Sequence, residues 1–94
     1  MKEELKSVLY YPDGRSEQVK PQNREDFNLK ELQFILGGYI EVLLLKGDRY
    51  MIVNEEGKLN GLEINPEATK IVLENGYLDT IAGNALVCPT DYLK

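Results

Sequence analysis

Three kinds of side chain here could act chemically on another molecule: carboxylates at Glu41, Glu55 and Glu56, an ammonium at Lys58, and the thiol of Cys88. General acid and base work needs two carboxyl groups held in different environments. Glu55 and Glu56 are adjacent in a polar, glycine-containing stretch, where neighbours point apart into water. Cys88 lies in an apolar run directly before Pro89, the setting of a small core residue, and a nucleophilic thiol would need a neighbouring base. The 94 residues contain no histidine, so the usual proton shuttle and the commonest metal ligand are both missing. One cysteine makes neither a disulfide nor a zinc cluster.

Gly37-Gly38 lacks the lysine and hydroxyl that follow a phosphate-binding loop, and it closes a helix at the end whose dipole repels anions. Asn54-Glu55-Glu56-Gly57-Lys58 lacks the alternating ligands and terminal glutamate of a calcium loop, so a turn between elements is the better account. The sequence therefore predicts no catalytic residue, no metal site and no cofactor. What remains is a set of polar groups beside strand and helix ends: Tyr39, Glu41, Asn54, Glu55, Glu56, Lys58, Asn65 and Asn84. These are the candidate ligand- or partner-binding residues, although capping and turn formation draw on the same donors and acceptors. Glu41 is the least explained by capping, since a carboxylate in an apolar strand needs solvent or a partner.

The elements that must position these groups are legible in part. Residues 7–11 and 16–20 read as a hairpin around Pro12-Asp13-Gly14. A helix begins after Asn28, with Glu31 as its reciprocal capping partner and Phe27 and Leu32 as a hydrophobic staple. Leu29, Leu32, Ile35 and Leu36 form its apolar stripe, and Gly37-Gly38 stops it. Residues 39–45 and 49–54 give the strongest β signal and are expected at the sheet centre, joined by Lys46-Gly47-Asp48. The unbroken apolar run 42–45 suggests a strand covered on both faces, one by the helix and the other by a second layer or a partner subunit.

Asn65-Pro66 opens a second helix with Ala68, Ile71 and Val72 facing inward. The rival reading of residues 69–78, a strand leading into an Asn75-Gly76 hairpin turn, stays open. Residues 85–88 form a last strand before Pro89, followed by a short polar tail. Tyr10, Tyr11, Tyr39 and Tyr50 fall on expected strands, where they could line one sheet face. Together these elements predict a single α+β domain over residues 1–94, with a small, mostly antiparallel sheet of about four to five strands packed with two short helices.

Charge narrows the partners. Sixteen acidic against eleven basic residues give a formal charge of −5 and a basic face is lacking, so direct nucleic-acid binding is not expected. All the excess lies in residues 31–94, which hold ten acidic and five basic side chains. The charged opening Met1-Lys2-Glu3-Glu4 does not resemble a leader, and no apolar run is longer than residues 42–45. A cytoplasmic protein without membrane contact is expected.

At Gly37-Gly38-Tyr39-Ile40-Glu41, Asn54-Glu55-Glu56-Gly57-Lys58, Asn65-x-x-Ala68-Thr69 and Asp79-x-Ile81-x-Gly83-x-Ala85-x-Val87 the chain resembles a family of small uncharacterised domains. Its members are encoded mainly by bacteriophages, prophages and plasmids, and the resemblance covers about residues 5–88. It implies a cytoplasmic protein of a mobile element with no established activity. With the poor catalytic equipment, this predicts a non-catalytic binding protein that engages a host protein or sequesters a small polar ligand, with a counter-defence role in view. Exposed sheet edges would favour a homodimer or higher homo-oligomer. The alternative is an acidic nucleic-acid mimic that inhibits a restriction or defence enzyme.

Overall fold

A computed structural model describes residues 6–93. Five strands run β1 (Ser7–Tyr10), β2 (Ser16–Val19), β3 (Ile40–Leu45), β4 (Arg49–Asn54) and β5 (Ala85–Pro89), and two helices are α1 (Leu29–Leu36) and α2 (Pro66–Glu74). The strands form one antiparallel sheet in the order β2-β1-β5-β4-β3. This is the expected α+β architecture, and residues 66–74 are helix, so the hairpin reading of that stretch is set aside. Among the described residues no helix is long and apolar enough to cross a membrane.

Local chemistry explains the helix ends. Asn28 Oδ1 accepts the Glu31 N–H at 2.8 Å while the Glu31 carboxylate accepts the Asn28 N–H at 3.4 Å. The two bonds close a capping box. Gly37 has a φ of 82°, a left-handed conformation that costs glycine little. Its N–H returns to the Gln33 carbonyl at 2.8 Å. Asn65 caps α2 by accepting the Ala68 N–H at 3.1 Å, with Pro66 at the first helical position.

The helices lie on opposite faces of the sheet. Leu9, Ile52, Leu86 and Cys88 pack with Phe27, Leu32 and Leu36 on the α1 face. Met51, Val53, Ala85 and Val87 pack with Ala68, Val72 and Ile81 on the α2 face. Alternate residues of β4 and β5 thus serve two cores, as a strand's period of two requires. The tyrosines divide likewise: Tyr10 packs on the α2 side, Tyr11 and Tyr50 on the α1 side, and Tyr39 is exposed, so they do not share a face.

One placement corrects the sequence reading. The sheet centre is β5, and β3 is an edge strand. Four consecutive buried residues, Ala85, Leu86, Val87 and Cys88, occupy the middle position, whereas Val42 is 40% and Leu44 61% exposed. The apolar run in β3 is covered only in part. Its Leu45 is buried, its second layer is α2, and its outer edge has no neighbouring strand among the described residues.

Candidate functional site

A recess of about 330 Å³ opens at the end of the sheet where β3, β4 and the turn after β4 meet residues 79–82. Its position follows from backbone bonds. Glu55 N–H donates to the Tyr39 carbonyl at 2.9 Å, which continues the β3–β4 ladder by one pair and starts the turn. Glu56 N–H donates to Asn54 Oδ1 at 2.8 Å, an Asx turn that reverses the chain. Gly57 then passes so close to the Ala82 carbonyl that a Cβ would sit 2.6 Å from that oxygen, so only glycine fits. The turn is thereby pressed against the segment that carries Asp79 and Thr80.

Glu41, Asn54, Glu55 and Lys58, four of the eight residues singled out by sequence, line this recess together with Asp79 and Thr80. Lys58 Nζ pairs with Asp79 Oδ1 across the mouth. The ammonium, and after it the Thr80 N–H, hold the Asp79 carboxyl below the usual carboxylate range. Three carboxylates (Glu41, Glu55, Asp79) against one ammonium leave an acidic lining. Among the described residues neither Glu41 nor Glu55 has a cation bonded to its side chain, and both are exposed. Among those residues no three His, Cys, Asp or Glu side chains converge to hold a metal ion.

The remaining predicted residues lie elsewhere. Tyr39 and Glu56 are exposed beside the recess without lining it. Asn65 is fully buried: besides capping α2, its Nδ2 donates to the Tyr10 carbonyl at 3.0 Å and the Gly83 carbonyl at 2.9 Å. Asn84 Nδ2 donates to the Ile35 carbonyl at 3.2 Å, and Asn54 Nδ2 to the Leu36 carbonyl at 3.1 Å. Both therefore satisfy carbonyls that the end of α1 would otherwise leave unpaired. Asn54 has a double place, in the recess wall and in this junction.

A second, wider recess of about 540 Å³ lies between the C-terminal half of α1, the β1–β2 turn and residues 62–63 and 83–84. Phe34, 90% exposed, lines it together with Leu62 and Asn84. The Arg15 guanidinium stacks 4.6 Å from the centre of the Tyr11 ring. It also pairs with Asp13 at 2.7 Å. Tyr11 donates its hydroxyl to the Glu17 carboxylate, which raises the phenol above its ordinary range.

Sequence reasoning missed Asp79, Thr80, Phe34 and Arg15 as wall residues. For Phe34 a signal existed, since it falls outside the apolar stripe of α1. Asp79 is 21 positions from Lys58, and no local pattern announces their pairing.

Cys88 is fully buried on the α1 face, and burial pushes its thiol up to about 11. An unactivated thiol is what that environment produces.

A family model described as "Domain of unknown function (DUF3846)" matches residues 5–92. No curated protein and no solved structure matches the chain.

Proposed function

This chain belongs to the DUF3846 family of domains of unknown function, a membership that assigns no activity, and we propose that it is a non-catalytic binding protein of a phage or plasmid that engages a host protein. The observation that carries this reading is the acidic recess beside the exposed β3 edge. There, the charged groups of the recess lie on one face of the β3 edge, and exposed Val42 and Leu44 lie on the other. Exposed apolar side chains rimmed by charge are a common composition for protein contacts. Catalysis receives no comparable support, since the thiol is buried and the carboxylates of the recess are water-exposed. The mobile-element origin rests on the resemblance of the four motifs, and residence in the cytoplasm belongs to the same proposal.

The test is affinity capture with the tagged full chain from bacterial lysate, followed by denaturation and mass spectrometry of everything released. A stoichiometric host protein, weakened by the double reversal Glu55→Lys/Glu56→Lys, is the expected result. A clean capture that releases a stoichiometric nucleotide or metabolite would overturn it in favour of small-ligand sequestration. The wider recess beside Phe34 supports that second reading, because its volume of about 540 Å³ is ordinary for a ligand site.

A further inference from the structure

The outer edge of β3 is open along one half and closed along the other. The Glu55-to-Tyr39 bond sets the ladder's parity: residues 39, 41, 43 and 45 exchange bonds with the turn and β4, so Ile40, Val42 and Leu44 turn their N–H and C=O outward. Near the end of the strand those outward groups are occupied. Tyr77 donates its hydroxyl to the Leu44 carbonyl at 2.7 Å, and the Lys46 N–H donates to Asn75 Oδ1 at 2.7 Å. Upstream, no described residue bonds to the outward groups of Ile40 or Val42. An unpaired edge of this kind is a template for another strand.

We propose that the open half of β3 accepts an extended segment of a partner protein as a sixth strand, with a lysine or arginine of that segment beside Glu41 at the mouth of the acidic recess. This rests on the protein-binding reading above and specifies its mode. Main-chain bonds at Ile40 and Val42 give the attachment, and alternate side chains give the selection. On one face the added strand meets exposed Val42, which favours an apolar side chain; on the other it meets Glu41, with Glu55 behind. Opposite charges across neighbouring strands attract, and this rim has carboxylates lacking a bonded cation.

A second copy of the chain fits poorly. Two-fold antiparallel pairing about Glu41 would set that carboxylate directly against its own symmetry mate, a destabilising like-charge pair. Pairing about Val42 needs the Leu44 carbonyl, which the Tyr77 hydroxyl already holds.

The experiment uses the ¹⁵N-labelled full chain and two blocked heptapeptides, one alternating lysine with valine and one alternating glutamate with valine. In the free protein the Ile40 and Val42 amides exchange rapidly and the Lys46 amide slowly. Saturating lysine peptide slows Ile40 and Val42 about tenfold or more, the glutamate peptide does not, and Glu41→Lys reverses the preference by about fivefold. Val42→Pro removes only an outward N–H and abolishes binding, with Lys46 protection reporting that the hairpin still folds. Equal protection by both peptides, or by neither, overturns the proposal. So do slow Ile40 and Val42 amides in a free chain that sediments as a dimer. If Glu41→Lys and Val42→Pro still capture the host protein, strand addition is wrong while the protein-binding reading stands. If wild type captures no protein, it is that reading which fails.

Discussion

At the C-terminal end of α1, side-chain amides from β4 and from Asn84 just before β5 reach the carbonyls of Leu36 and Ile35, and at the start of α2 Asn65 bonds to three backbone groups at once. Across β4 from the first of these junctions lies the rim of Glu41, Glu55 and Lys58, where the carboxylates face water. Both regions are built from polar residues at element ends. They differ in what surrounds them. A buried amide must find partners because leaving it unpaired costs roughly 1–3 kcal/mol, whereas an exposed carboxylate is already satisfied by solvent and stays available. Burial, more than residue type, decides which polar groups fasten the fold and which can meet another molecule.

The sharpest way to break this contrast is Asn65→Ala. It strips the α2 cap and removes the amide donor from the buried Gly83 carbonyl and the part-buried Tyr10 carbonyl, so chemical denaturation should show a loss of about 3 kcal/mol. A loss under about 1 kcal/mol would place Asn65 with the rim instead of the junction. Asn54→Ala should cost about 2 kcal/mol, because the Leu36 carbonyl and the Glu56 N–H lose their partner together.

Alkaline titration probes the interior without touching the amides. Once the chain unfolds, the Cys88 thiol ionises near its ordinary value of about 8.5. In the folded chain it ionises only at about 11. Between those values the native state holds a proton that the unfolded state has released, so stability is full below the lower value and falls as pH rises toward the upper. The expected loss is on the order of 3 kcal/mol relative to Cys88→Ala, read from denaturation midpoints across that window.

The smallest effect belongs to the rim. Glu55→Gln/Glu56→Gln should change stability by no more than about 0.5 kcal/mol in the same assay, as for exposed charges generally. A larger loss would mean the rim is structural after all.

Much of the fold was legible because its signals are local. Asn28 and Glu31, three residues apart, bond to each other, and Asn65-Pro66 fixes the start of α2 within one turn. Strand order was not legible. An apolar run such as residues 42–45 reports that side chains seek cover, without saying which strand lies alongside. That is settled by β5, whose Leu86 pairs with Leu9 on one side and Ile52 on the other. The candidate site was half legible for the same reason. Glu41, Asn54, Glu55 and Lys58 lie within two adjoining strands and the turn that follows, while Asp79 is delivered by the chain's return after α2.

The central position of β5 has a further consequence for how the chain is made. Two hairpins are complete long before β5 leaves the ribosome, yet neither touches the other through backbone bonds until residues 85–89 slot between them. Joining of the two halves therefore waits for those residues to emerge, because contacts so distant in sequence cannot form earlier. A nascent chain stalled before residue 85 would display two unjoined β-ribbons to chaperones, and native structure would follow only once β5 had cleared the tunnel.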